Sequence, residues 1–419
     1  MKTKTFNSIL LLFFFFSSTS FAQPGWFTQV SGTTQLLSSI QFVNNQTGWA
    51  VGYNGTIIKT TNSGNNWTAQ TSGVTNSFYS SFFINTSTGW AVGDGGTLRV
   101  TTNGGTNWIA QTSGTSNFLA DVYFSGNSTG WVTGQLGTIL YTTNAGTNWV
   151  AQTSPYTSGT LRSVRFPENA STGWAVGDGG NIVKTTNSGT NWVLQSSGTT
   201  NMLRGAYFMS SITGWAVGNA GTIIKTTNGG VNWSSQTSGV SNALYSAKLV
   251  DAQTGWVVGD GGKILVTTNG GTNWLSQTSS ASGYLYSVFF LNSSTGWISG
   301  QTGLILKTTD GGGLTGITSY GNEIPSSYVL YQNYPNPFNP ATNIVFSIPQ
   351  RGTVKLTVYD VLGNEVAVLA EQVLNAGSYR VDFDASGLSS GMYFYRLEAR
   401  QVGSWTGSFV DTKKMILVK

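Results

Sequence analysis

The sequence predicts an all-β chain: a seven-bladed β-propeller closed by an N-terminal strand, followed by a small Ig-like β-sandwich. Three observations lead there. A Thr-Gly-Trp signature places tryptophan at Trp49, Trp90, Trp131, Trp174, Trp215, Trp256 and Trp297, at spacings of 41, 41, 43, 41, 41 and 41 residues. Gly- and Trp-rich repeats of about 40–45 residues are the signal of a propeller whose blades have four strands. A second tryptophan, preceded by asparagine, follows 18 residues later in six copies, at Trp67, Trp108, Trp149, Trp192, Trp233 and Trp274. The seventh copy, KTTDGGGLTG from Lys307, lacks it, while Trp26 in GWFTQVSGT stands 41 residues before Trp67. The start of the chain therefore supplies the strand that the last repeat is missing, and closing the ring in this way removes an exposed sheet edge.

Taken in order, residues 1–22 read as a secretory signal: Lys2 and Lys4, an apolar run, then Ser20, Phe21 and Ala22 before the expected cleavage. The apolar run is short of the ~20 residues that span a bilayer, so no membrane-spanning segment is expected in the mature chain. Residues 23–313 form the propeller. In the second copy, strands are expected over 78–84, 89–93, 96–102 and 107–113, each rich in aromatic and β-branched types. Asp94-Gly95, Asp178-Gly179 and Asp260-Gly261 read as two-residue hairpin turns, whose positive φ suits this pair. Asn62, Asn103, Asn144, Asn187, Asn228, Asn269 and Asp310, each two residues before a glycine, read as staples of the next turn, in which the Asx side chain bonds the backbone beyond it. Fourteen tryptophans at matching positions are expected in the core. Residues 314–326 read as a linker. Residues 327–419, with alternating runs such as VKLTVYD and MYFYRLEA between Gly and Asn turns, form the sandwich.

Composition excludes several functions. There is no cysteine and no histidine, so disulfides, thiolate metal sites and a Ser-His-Asp triad cannot form, and no cofactor or metal is expected. The formal charge is +5, but two of the lysines lie in the signal, and the repeats carry ten Lys/Arg against seven Asp/Glu without a basic run. No nucleic-acid interface is expected.

The turn pattern Ser/Thr-x-Asp-x-Gly-x-x-Trp, here mostly with Asn, resembles the Asp box of sialidase-type propellers, where it is a structural turn remote from the active centre. The whole repeat, G-W-x-V-G-x-x-G-x-I-x-x-T-x-x-G-x-x-W, resembles the photosystem II stability and assembly factor type of propeller, which implies scaffolding or binding of partner proteins. The tail resembles the C-terminal sorting domain of type IX (Por) secretion. Its matching residues are Tyr334, Pro335, Asn336, Pro337, Phe338, Asn339 and Pro340, then Val358, Tyr359, Asp360 and Gly363, then Gly377, Gly391, Tyr393 and Lys419. That resemblance implies periplasmic transit, recognition of residues 327–419 by the type IX translocon, and a place at the outer cell surface or in the medium.

Chemistry is sought where the repeat varies. The second residue of the innermost strand is Ser38, Tyr79, Ala120, Arg162, Arg204, Tyr245 and Tyr286 round the ring. Tyr79, Arg162, Arg204, Tyr245 and Tyr286, beside the turns of Asp94, Asp178 and Asp260, are the candidate ligand-binding rim for an extracellular protein or glycan. No catalytic residue is assigned. An Asp-box glycoside hydrolase or lyase acting on extracellular polysaccharide is the alternative. It needs two carboxylates flanking the scissile bond, and only Asp121 and Glu168 lack an obvious turn role. A sialidase would need clustered arginines, and Arg99 falls on the third strand, away from Arg162, Arg165 and Arg204.

Overall fold

Each repeat folds as the meander that its turns dictate. A computed structural model describes residues 25–312, 318–319, 324–385, 388–401 and 408–419; the expected signal peptide lies outside them. In the second repeat the strands, a to d from the channel outwards, are Phe78–Phe83, Gly89–Gly93, Leu98–Thr101 and Ile109–Ala110, all antiparallel. Strand b has its expected bounds; c and d are shorter, because turns claim their ends. Seven such four-stranded sheets are present among the described residues.

The b–c turn differs from the sequence expectation by one residue. The Asp94 carbonyl accepts from Thr97 N–H and the Thr97 carbonyl from Gly93 N–H, both at 3.0 Å. The central residues are therefore Gly95 and Gly96, at φ +61° and +72°, rather than Asp94 and Gly95. A Cβ at Gly96 would overlap the Thr115 carbonyl oxygen of the following loop. Asp94 precedes the turn centre, which leaves its carboxylate available to the channel mouth.

The c–d turn is the Asx staple. Asn103 Oδ1 accepts from Thr101 Oγ1 at 3.0 Å and from Asn107 N–H at 3.0 Å, while Thr101 Oγ1 accepts from Gly105 N–H at 2.7 Å. The turn holds one carbonyl towards the preceding blade. In blade five the Gly229 oxygen receives Trp174 Nε1 at 3.3 Å, Lys184 Nζ at 2.8 Å and Gln195 Nε2 at 3.4 Å, from strands b, c and d of blade four. Aromatic packing crosses the same joint. Trp90 of blade two stacks on Phe124 of blade three at 3.6 Å, and Trp149 meets the edge of Phe124 at 5.9 Å.

Closure through the N-terminal segment uses these same contacts. Phe27–Gln29 is antiparallel to Ile305–Thr308, with Thr28 opposite Leu306. Gly25 N–H donates to Asp310 Oδ2 at 2.9 Å, taking the part that Asn107 N–H plays on Asn103. Trp26 Nε1 donates to Gln277 Oε1 at 2.9 Å, packs edge-on to Phe290 at 5.7 Å and is buried. On its other side, Gln29 Nε2 donates to the Ser63 carbonyl of blade one at 3.1 Å.

The tail is two antiparallel four-stranded sheets around the cluster that contains Phe346, Leu356, Val381, Tyr395 and Met415. Thr318–Ser319, within the expected linker, pair with Arg380 and Tyr379 at one sheet edge. The Pro-rich run clasps the last strand, Ser408–Leu417: Phe338 N–H donates to the Ile416 carbonyl at 3.0 Å and Asn336 Oδ1 accepts from Ile416 N–H at 2.9 Å. Among the described residues no helix is long and apolar enough to cross a membrane.

Replacing Trp26 with Ala removes a buried indole and the Gln277 bond, so it is expected to cost about 3–5 kcal/mol of stability. Denaturant unfolding of the mature protein measures this. An unchanged midpoint would show that the N-terminal strand does not lock the ring.

Candidate functional site

Strand a runs six residues in most blades, and its register decides what reaches the channel. A shift between the first and third residues, Phe78 and Ser80 in blade two, recurs in all seven blades and bulges the second residue from the ladder. First and sixth residues are buried between blades, whereas second and fifth are only half-buried.

All five predicted rim residues line one cavity of about 370 Å³, together with Leu36, Ser38, Tyr53, Phe118 and Ala120. Each is tied to its surroundings. Tyr79 Oη donates to Asp94 Oδ1 at 2.7 Å; burial and then that carboxylate push the phenol pKa well up. Arg162 Nε donates to Asp178 Oδ1 at 2.5 Å, and Thr160 N–H to Asp178 Oδ2 at 3.0 Å. Burial alone would raise the Asp178 carboxyl, but these donors and the guanidinium charge hold it below the ordinary 3.8. Arg204 Nε donates to Asn219 Oδ1 at 2.7 Å, and its guanidinium lies 4.8 Å over the Tyr245 ring. Tyr245 and Tyr286 are 5.1 Å apart, and burial lifts Tyr286 to about 12.

Arg204 therefore stands apart from Arg162. The charge of Arg162 is met by a carboxylate, whereas Arg204 hydrogen-bonds a neutral amide. Two of the three aspartates read as turn residues also hold the rim through their carboxylates: Asp94 holds Tyr79 and Asp178 holds Arg162.

Sequence reasoning missed Tyr53 and Phe118, which border the same cavity. Tyr53 meets Tyr79 edge-on at 6.2 Å, and Phe118 approaches Tyr79 at 5.6 Å. A signal existed: Tyr53, Asp94, Gln135, Asp178, Asn219, Asp260 and Gln301 form a second variable column at the start of the b–c turn. Of the two carboxylates without a turn role, Asp121 is buried and accepts from Ser80 Oγ, Val122 N, Val164 N and Arg165 Nη1 at 2.6–3.0 Å. Glu168 is exposed beyond the end of its strand. Among the described residues no cluster of acids is arranged to hold a metal.

Comparison with known proteins gives two family matches. The model described as photosynthesis system II assembly factor YCF48 matches residues 19–113, 107–197, 194–276 and 232–331. The model described as secretion system C-terminal sorting domain matches residues 332–411. Among solved structures, YCF48 bound to D1 peptide is similar at 23% identity and TM-score 0.59, covering 70% of this chain and 99% of that one. YCF48 from Cyanidioschyzon merolae is similar at 19% identity and TM-score 0.58, covering 68% and 98%. The WD40 propeller domain of Doa1 is similar at 11% identity and TM-score 0.58, covering 68% and 97%, so these likenesses carry the fold alone. No curated protein sequence matches this chain. The sorting tail marks a protein exported by type IX secretion to the cell surface or the extracellular space.

The depressed Asp178 pKa fixes the sign of a pH effect. The Arg162–Asp178 pair stabilises the fold above the carboxyl's ordinary value near 3.8 and is lost as pH falls through the lower folded value. Thermal unfolding of wild type and Asp178→Asn is expected to differ at pH 6 and to converge towards pH 2. A constant difference across that range would contradict the assignment.

Proposed function

Because this chain belongs to the photosynthesis system II assembly factor YCF48 family, we propose that it is a non-catalytic binding propeller, exported by its sorting tail, whose arginine–tyrosine mouth holds a protein partner outside the cell. Arg204 carries this reading. It is a half-buried cation that hydrogen-bonds an amide, and it is braced over Tyr245 beside Tyr286, so its charge remains available to an acidic side chain of a ligand. Flanking tyrosines offer rigid, amphipathic contact area of the kind enriched in protein recognition. A relative of the same fold was solved bound to a D1 peptide, which supports a peptide as the ligand class.

Polysaccharide hydrolysis is the weaker reading. Of the three aspartates beside the mouth, Asp94 is held by Tyr79 and Asp178 by Arg162, which leaves Asp260 alone without such a bond among the described residues, and Glu168 is exposed outside it. A glycosidase needs one carboxyl to move a proton and another to attack or to activate water.

The test uses the mature protein against a displayed library of extended peptides and a panel of polysaccharides. Acidic peptides are expected to be retained, and Arg204→Ala with Tyr245→Ala to weaken retention by about tenfold or more while the melting temperature stays within a few degrees. Undiminished retention would remove the mouth from the account. Release of new reducing ends from a polysaccharide would replace binding by catalysis.

A further inference from the structure

Strand a varies at its fifth residue as well as its second. Round the ring these are Gln41, Phe82, Tyr123, Arg165, Tyr207, Lys248 and Phe289. They border a second cavity of about 370 Å³, at the other mouth of the channel, beside Pro167 and Met209 of the a–b turns. Neither of the two cavities shares a lining residue with the other.

Some of these side chains seal the joint between blades. Gln41 bonds the backbone of Phe83 on both sides, at 2.9 and 3.0 Å, and Tyr123 Oη donates to the Phe166 carbonyl at 2.9 Å. Arg165 turns back to Asp121 at 2.6 Å. Lys248 does neither. Its ammonium lies 4.9 Å from the Tyr207 ring centre and 5.3 Å from that of Phe289, and among the described residues no carboxylate or carbonyl receives it. The Tyr207 hydroxyl beside it likewise has no hydrogen-bond partner among the described residues. Burial first, and then the like charge of Arg165, push the Lys248 ammonium down to about 8.

The charges leave one unit over. Arg165 and Lys248 are cations, and Asp121 is a carboxylate already saturated by four donors. A monoanion would complete the balance, whereas a dianionic phosphate would leave a negative charge facing Asp121. Phe82, Phe289 and Met209 supply an apolar wall, and the cavity ends inward at the serines of the third column, among them Ser39, Ser246 and Ser287. We propose that this mouth is a binding site for a small monocarboxylate with an apolar or aromatic body, its carboxylate on Lys248 and its body against Phe289 and Phe82. The site stands independently of the protein-binding mouth.

Titration calorimetry of the mature protein with acetate, isovalerate and phenylacetate, and with phenylacetamide as the uncharged control, tests it. Phenylacetate is expected to bind at one site per chain and more tightly than acetate, with phenylacetamide at least tenfold weaker. Binding is expected to weaken towards tenfold per pH unit above about 8, where Lys248 loses its proton. Lys248→Met keeps the length and removes the charge, and is expected to lose binding by tenfold or more. Arg204→Ala, at the opposite mouth, is expected to leave it unchanged. The proposal falls if no acid binds up to about 10 mM, if acid and amide bind alike, or if folded Lys248→Met binds as wild type. Should that variant fail to fold, the acid–amide comparison and the pH profile on wild type decide.

Discussion

In blade five the carbonyl oxygen of Gly229 receives the indole of Trp174, the ammonium of Lys184 and the amide of Gln195, all from the blade before it. Versions of this joint recur round the ring. Gly104 takes Lys59 and Gln70, and Gly311 takes Trp256 and Gln277. A buried carbonyl met by several donors is a costly group made safe, and one of these donors is charged. The joint exists only because the Asx staple aims that carbonyl outwards, which is why Asn103 and its equivalents recur. It is not uniform: Trp67 and Gln29, like Trp233 and Gln195, leave indole and amide atoms unpaired across their junctions, so stacking does more of the holding there.

The joint draws its donors from strands b, c and d. Strand a adds packing at its first, fourth and sixth residues and a few cross-blade bonds of its own, such as Gln41 to Phe83 and Tyr123 to Phe166, while the residue types at its second and fifth positions change from blade to blade. The chain therefore keeps its repeat where blades meet and spends its variation at the two mouths of the channel. One mouth gathers tyrosines with Arg162 and Arg204; the other gathers aromatics with Arg165 and Lys248. At the second, Arg165 is matched to Asp121 and Lys248 to no carboxylate, which leaves close to one unit of positive charge within low-polarity walls, where a single charge is worth more than in water. At the first, Asp94 and Asp178 stand beside Arg162 and Arg204, and Arg204 is the cation whose direct partner is an amide.

The ring was legible in the sequence because its determinants are periodic. The tryptophan columns indicated the number of blades and Trp26 the closure, whereas the bond by which Gly25 takes the place of an asparagine on Asp310 is visible only in the structure. The first mouth was legible as a column of unlike residues. Its internal bonds were not, since the Arg162–Asp178 pair joins a strand residue to a turn residue whose side chains meet only once the turn centre moves to Gly179 and Gly180. The second mouth was missed for a physical reason. A regular strand would place the second and fifth residues on opposite faces, but the bulge after the first residue breaks that alternation and lets both reach the channel. Lys248 within YSAKL looks like an ordinary solvated strand position until the bulge is known.

The division between a fixed joint and free mouths is the central claim. A saturation scan of strand a in blade five, Leu203–Phe208, read by the surface abundance of the folded protein, tests it most directly. Leu203, Ala206 and Phe208, all buried between blades, should tolerate few substitutions, while Arg204 and Tyr207 should accept most with abundance near wild type. Arg204 and Tyr207 proving as intolerant as Leu203 would mean that the mouths hold the ring together, and the division would fail.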